Sequence, residues 1–468
     1  MVEAIRSSLR DSKATRWTAL VLVSLTMLSA YFFVDVMAPL QSLVEHRLKW
    51  TGSQYGFFSG SEYVLNVCGF LLVSGIILDK MGIRFTGLMS TGVMVLGGLI
   101  KLYGLSTTFN DGGFGYSFFG SFLQSIPPSV KMASLGYAIF GIGVEMCGIT
   151  VSRAIVKWFK GKELALAMGM EMATARMGAA VAFFFSAKMA GMKEGSIGVG
   201  NLMTPIYFGL ALLCIGFLTF LVYTFMDTKL DKQEGEAGTG EPEEGFHFSD
   251  LLKIATNKGF WLISLLCVLF YSGVFPFLKY AVNMMQNKLG ISAEAGGNIA
   301  ALLPVGTIIL TPVVGHFLDT KGKGATIMIF GAGLMTIAHL IFAFAPLNMA
   351  MAILAIVILG IAFSLVPASM WPSVPKIVEE RYLGSAYALV FLIQNLGLMA
   401  VPMVIGLVRD KANPGVAERM AAGDPTAVYS YTIPMMIFAG LGVCAMFLGW
   451  LLVREDKAKG YGLEKANK

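Results

Sequence analysis

Hydrophobic and polar residues do not alternate along this chain; the hydrophobic ones run in long blocks. Twelve blocks stand out, at roughly 17–40, 54–78, 83–104, 132–156, 163–187, 204–226, 259–283, 295–318, 324–345, 348–371, 383–408 and 429–453. Each is about as long as a helix must be to cross the hydrocarbon core of a bilayer, near 20 residues at about 1.5 Å per residue. Helices are the expected element, because inside lipid a backbone satisfies its own hydrogen bonds only as a helix or a closed barrel. Short polar stretches separate the blocks. The first block is too long, and starts too late, for a cleaved signal, and no small-residue cleavage site follows it.

Composition agrees with this pattern. Of 468 residues, 56% are hydrophobic and 14% charged, and the mean hydropathy is +0.71. A soluble protein of this length cannot bury so much apolar surface. The five cysteines all fall inside apolar blocks and read as small hydrophobes, not as a disulfide set. The four histidines are scattered, so no metal site is expected, and nothing calls for a cofactor. No phosphate loop and no supported Ser-His-Asp arrangement appears, so the chain is not read as an enzyme.

The net charge of +6 is informative through its distribution. With twelve spans both termini lie on one side of the membrane. Segments on that side carry 22 of the 35 lysines and arginines. Segments on the other side carry 11, a count that places the span-end residues Lys101 and Lys279 there, and Arg153 and Arg176 lie inside spans. By the positive-inside rule both termini are expected in the cytoplasm. The basic excess reports topology. The expected partner is the bilayer, not nucleic acid.

The polar stretches also repeat. "GIILDKMGIR" (75–84) stands between the second and third blocks, and "GHFLDTKGKG" (315–324) between the eighth and ninth. Gly75 matches Gly315, and Asp79 matches Asp319. A repeat at half-chain spacing implies two similar halves. Each copy puts an Asp at a helix end, then basic residues and a glycine that permits a tight turn. The Asp is placed to accept hydrogen bonds from a neighbouring helix N-terminus and so latch one conformation. Between the halves, "MDTKLDKQEGEAGTGEPEEG" (226–245) reads as a flexible linker. The expected division is 1–226, a linker at 227–250, and 251–468, with Ser249 or Asp250 capping a short interfacial helix.

This loop pair resembles the signature loop of the major facilitator superfamily, although Thr320 stands where a basic residue is usual. The resemblance covers the whole chain through its twelve spans, its six-plus-six repeat and its central linker. It implies an all-α membrane protein of two pseudo-symmetric six-helix bundles, with a substrate site between them near the midplane and alternating access by rocking. Gly75, Asp79, Arg84, Gly315 and Asp319 then form the candidate conformational latch.

Charges inside apolar blocks are the candidate chemistry, because each costs about 2.5–3.5 kcal/mol at the bilayer centre and must face protein, water or ligand. Glu145 interrupts "FGIGVEMCGIT", and Arg176 interrupts "EMATARMGAAVAFFF". Counted from the loop joining their blocks, both lie about 18–20 Å deep, level and near mid-membrane. They are either a structural ion pair or two cavity residues that hold the ammonium and the carboxylate of a zwitterion. Arginine suits a carboxylate because its planar fork reaches both oxygens. Asp35 is a candidate cavity or proton site. Glu62 and Asn66, one turn apart, suit helix–helix hydrogen bonding. Arg153 is expected to snorkel to the membrane surface, and Lys279 to lie near the outer surface. Trp371 is either an interfacial anchor or a cavity wall.

Several stretches are similar to one branch of the superfamily, the lysosomal dipeptide uniporters: "FGIGVE" (140–145), "WFKGKELALAMGMEMATARMG" (158–178), "FYSGVFPF" (270–277), "MWPSVP" (370–375) and "LGSAYALVFLIQNLGL" (383–398). The similarity implies a dipeptide substrate with its amine on Glu145 and its carboxylate on Arg176. It adds Tyr271, Trp371 and Asn395 to the substrate-binding candidates. The chain departs from the branch in the length of its 105–131 loop, which is long enough to fold over the outer mouth. Tyr137 occupies a position where many superfamily members carry an arginine, which speaks against the familiar proton-antiport relay. No N-x-Ser/Thr sequon and no acidic dileucine signal appears, so a bacterial inner membrane is expected, and nothing in the sequence requires an accessory subunit. The alternatives are a proton-coupled carrier of another organic anion or drug-like solute, and a membrane sensor or scaffold that no longer transports.

Overall fold

The computed structural model describes residues 9–192, 198–234, 253–422, 424 and 426–466. Ten helical stretches in it are long and apolar enough to cross a membrane. One of them, Gly52–Leu105, has 54 residues, far more than one crossing needs. It breaks at Gly82, whose φ of 77° and ψ of 174° lie outside the helical region and favour a residue without a Cβ. Its two arms are α2 (52–81) and α3 (83–105), which follow α1 (Lys13–Asp35). Then come α4 (Pro128–Phe159), α5 (Leu164–Met189), α6 (Met203–Glu234), α7 (Lys258–Leu289) and α8 (Ala293–Lys321). The last four are α9 (Gly324–Phe344), α10 (Met349–Met370), α11 (Leu383–Ala412) and α12 (Thr432–Lys459). Counting the two arms separately and adding α5 gives twelve helices of spanning length among the described residues.

Local sequence sets where these helices start. Ser12, Thr51, Asn257, Ser292 and Asn348 each accept a hydrogen bond from the backbone N–H three residues on. That satisfies one of the donors every helix N-terminus leaves open. Thr51 and Gln54 cap α2 reciprocally.

Packing reveals the repeat. Helices α1–α5, α1–α6, α2–α4, α3–α4 and α3–α6 pack together in the first half. Shifted by six, α7–α11, α7–α12, α8–α10, α9–α10 and α9–α12 pack together in the second. Two principal contacts join the halves, α2–α11 and α5–α8, and the same shift exchanges them. The fold is two pseudo-symmetric six-helix bundles. Helix α6 continues through 227–234, the first residues expected in the linker, and the rest of that linker with Ser249 and Asp250 lies outside the described residues.

Both chain ends lie on one face. Arg10 donates to the Lys160 carbonyl (2.6 Å), and the Lys323 N–H to that of Glu464 (3.1 Å). On this terminal face the Arg16 guanidinium contacts Glu163 at 2.8 Å and holds its carboxyl below the usual carboxylate range. On the opposite, far face α2 packs closely on α11, against the Arg409 side chain and the backbone carbonyls of Pro402 and Met399. A Cβ on Gly52, Gly56 or Gly60 would stand 2.3–2.4 Å from Arg409, Pro402 or Met399, so this seam admits only glycine at four-residue spacing. The 105–131 loop is anchored on its own half, through Gln54 to the Ser125 carbonyl (3.4 Å) and Lys131 to that of Leu123 (3.3 Å). All five cysteines are free; Cys147 and Cys267 are buried, whereas Cys68, Cys214 and Cys444 are exposed on helix surfaces.

Candidate functional site

Arg176 leaves the middle of α5 and crosses to the second half. Its Nη1 donates to Thr311 Oγ1 of α8 at 3.0 Å, and its guanidinium carbon lies 5.6 Å from the ring centroid of Phe363 on α10. Tyr271 of α7 is within its electrostatic range. One side chain therefore touches both bundles, where a substrate between them would sit.

Glu145 on α4 is half-buried. Among the described residues it forms no hydrogen bond and no ion pair, with Arg176 or any other group. The structural-pair alternative is thus not the arrangement of this state. Tyr31 of α1 lies within electrostatic range of Glu145, Arg176 and a further carboxylate, Glu171. The two candidates do not neutralise each other.

Aromatic residues of the second half cluster near Arg176. Trp371 donates from Nε1 to the Tyr271 hydroxyl at 2.9 Å and stacks on Phe391 with centroids 4.9 Å apart. It packs at the end of α10 against α7 and α11. Asn395 on α11 is fully buried, and neither its amide nitrogen nor its oxygen has a partner. Unpartnered buried amides are rare in native interiors, and each costs about 1–3 kcal/mol.

Asp35 belongs to a different cluster, nearer the far face. Lys279 of α7 reaches into the first half and contacts Asp35 at 3.1 Å, Glu62 at 3.7 Å and the Tyr137 hydroxyl at 3.2 Å. Lys279 is 6% exposed, enclosed by protein on every side. Lys101 is also fully buried, over the rings of Phe33 and Tyr137 at 4.4 and 4.1 Å. Asn66 of α2 donates to the Gly141 carbonyl at 3.1 Å, as expected of a helix–helix contact. Further out, buried Arg409 pairs with Glu45 at 2.7 Å. Its neighbour Asp410 accepts from the backbone N–H groups of Gly52 (2.9 Å) and Ser53 (2.6 Å). A carboxylate on a helix N-terminus was expected of Asp79; it is found at Asp410, on the other face.

Asp79 instead binds the Arg153 guanidinium at 2.7 Å, so Arg153 pairs with the 75–84 loop and does not simply snorkel. Arg84 pairs with Asp231 at 3.2 Å. Gly82 and Gly322 supply the turns with φ of 77° and 71°. Gly75 and Gly315 have open space where a Cβ would stand. Asp79 and Arg153 are both partly exposed, so their pair contributes about 0–1 kcal/mol to stability. Asp79→Asn is therefore expected to leave the melting temperature nearly unchanged and substrate affinity within a few-fold, while slowing turnover several-fold. Rapid-mixing transport and equilibrium binding on one preparation check this. Lost binding with unchanged conformational exchange would refute a latch.

Sequence reasoning passed over Glu171, although it breaks an apolar block five residues before Arg176 by the rule that found the others. Among the described residues no cluster of three His, Cys, Asp or Glu side chains could hold a metal.

A family model described as Major Facilitator Superfamily matches residues 112–402 and 280–468. The chain belongs to the major facilitator superfamily. It is a multi-pass membrane protein and, by family, a transporter. It is 27% identical over 413 residues to the Lysosomal dipeptide transporter MFSD1 of Homo sapiens, covering 85% of this chain and 80% of that one. With its counterpart from Danio rerio the figures are 26% over 409 residues, 84% and 80%. Solved superfamily structures share the architecture. The nucleoside transporter NupG superposes with a TM-score of 0.68 at 14% identity, covering 93% of this chain and 99% of that one. A bacterial homolog to human lysosomal transporter Spinster, inward-facing and occupied, gives 0.67 at 16%, with 95% and 98% covered.

Proposed function

We propose that this superfamily member is an alternating-access transporter of dipeptides or similar small zwitterions, working as a uniporter. The observation that carries the reading is that Glu145 has no partner among the described residues while the Arg176 guanidinium bridges the bundles. A carboxylate and an arginine that do not neutralise each other are fitted to the two ends of a zwitterion. The relatives named as dipeptide transporters support the same substrate. In this reading the substrate amine meets Glu145, its carboxylate meets Arg176, and Tyr271, Trp371 and Asn395 line the remaining surface. The halves at 1–226 and 251–468 rock about the α2–α11 and α5–α8 seams, and the Asp79 and Asp319 loops govern the rocking.

The 22-to-11 division of lysine and arginine favours a cytoplasmic terminal face. Without a glycosylation sequon, the bilayer proposed is a bacterial inner membrane.

Uptake of labelled dipeptide into proteoliposomes, with and without a pH gradient, tests the reading. Gradient-independent uptake is expected. Gradient-driven accumulation would replace uniport by proton coupling, and no uptake would favour a scaffold. Arg176→Lys keeps the charge and loses the bidentate fork. It is expected to lower uptake by about tenfold or more, a charge-assisted hydrogen bond being worth ~1.5–3 kcal/mol, with an unchanged melting temperature. Normal uptake by this variant would rule out the carboxylate clamp.

A further inference from the structure

We propose that the 105–131 loop is an anchor on the bilayer surface: Phe114, Phe118, Phe122 and Leu123 enter the boundary between lipid headgroups and acyl chains at the far face. The occupant of this apolar surface is lipid, not protein. The proposal needs the membrane fold and no particular substrate.

The loop carries a small core of its own. Phe109 is fully buried, its ring 5.3 Å from that of Tyr103, 5.6 Å from Tyr116 and 6.3 Å from Phe119. The outward side of the same loop is apolar too. Phe114, Phe118 and Phe122 recur at four-residue spacing and are 92%, 66% and 39% exposed, and Leu123 is 63% exposed. From Leu105 to Lys131 the charged residues are Asp111 and Lys131 alone. Lys131 is turned inward and buried. Its ammonium donates to the Phe122 and Leu123 carbonyls and lies 4.5 Å from the Phe122 ring centroid. Leu123 is held there at a φ of 43°, in the left-handed region that a leucine rarely adopts. An exposed patch of contiguous apolar side chains marks an interaction surface.

Position decides the occupant. The short helices of the loop, Thr107–Asn110 and Tyr116–Gly120, pack on α3 and α4, which keeps the loop on the first half. Helix α3 turns its small residues toward protein. A Cβ on Gly97 or Gly104 would collide with α4, and one on Gly87 or Gly98 would crowd α6. Its other side carries Phe85, Met89, Leu96 and Leu99, all exposed. An apolar stripe along the length of a membrane-crossing helix faces lipid. Tyr103 extends this stripe by one turn, and its hydroxyl donates to the Phe114 carbonyl at 3.2 Å. The loop patch therefore continues the lipid-facing side of α3 at the level where the span leaves the bilayer. Aromatic side chains are favoured at that level, and an element with one apolar face lies in its plane.

Tryptophan quenching in the full-length protein, reconstituted in phosphatidylcholine vesicles, tests the proposal. Phe114→Trp and Phe118→Trp each add one indole at an exposed site, and wild type supplies the baseline of the native tryptophans. Phosphatidylcholine brominated near the headgroup end of its acyl chains is expected to quench most of the added emission. Iodide, present on both sides of the membrane, is expected to quench little of it. Iodide quenching without bromine quenching would leave the patch in water, as a cover of the outer mouth or an unoccupied protein-docking face would be, and would overturn the proposal. Protection from both quenchers would mean that a second copy of the chain covers the patch, and would overturn it equally. The two sites are independent, so a variant that fails to fold leaves the other to decide.

Discussion

Glu145→Gln is expected to weaken binding of free dipeptides by ~10–150-fold, the equivalent of about 1.5–3 kcal/mol for a lost charge-assisted hydrogen bond. The substitution keeps the shape of the side chain and removes its charge. An N-acetylated dipeptide has no positive end, so its affinity should change far less. The ligand-free melting temperature should not fall, because Glu145 has no cationic partner among the described residues and its neutralisation strands no buried charge. A structural pair with Arg176 would behave differently. Arg176 would be left buried and unpaired, stability would drop, and both ligands would suffer alike. Ligand-induced melting shifts for the two ligands, on wild type and variant, separate these outcomes. Equal losses together with a lowered melting temperature would sink the amine-site assignment.

How much of this was legible in the sequence depended on contrast. Glu145 and Arg176 stood out because each is a lone charge well inside an apolar block, and counting residues from a shared loop placed them at one depth. The twelve helices were visible for the same reason. The repeat at Asp79 and Asp319 correctly implied two similar bundles, and the structure shows it in the six-helix shift of the packing pairs. Charges at the ends of blocks were not legible. Lys101, Lys279 and Arg409 look like loop residues, yet all three are buried. What buries them is contact between helices distant in sequence: Lys279 meets Asp35 across 244 positions, and Arg409 meets Glu45 across 364. Hydropathy along one helix carries no trace of such contacts. The role foreseen for Asp79 was sound chemistry at the wrong address, since Asp410 is the carboxylate that lies against a helix N-terminus.

These buried end charges give the largest stability effect expected of any single substitution. Lys279→Met removes the cation that, among the described residues, pairs with both Asp35 and Glu62, and it leaves both carboxylates buried. Breaking a buried pair by deleting one partner costs about 3–5 kcal/mol. A marked fall in melting temperature is therefore expected. Lys279→Met combined with Asp35→Asn should recover part of it, because one stranded charge is then gone. The pair also joins the two bundles, so its loss should shift the conformational balance. Spin labels at Asp111 and Glu418, on far-face loops of opposite halves, should report a new population at longer distance. The shift should be partial, because Arg409–Glu45 and the contact of Asp410 with the start of α2 still tie the far face. Adding Glu45→Gln should enlarge it. If Lys279→Met melts early while the label distances stay as in wild type, Lys279 acts only within the packed core. If it melts like wild type, the carboxylates are compensated without it, and the ion cluster is not what holds the far face together.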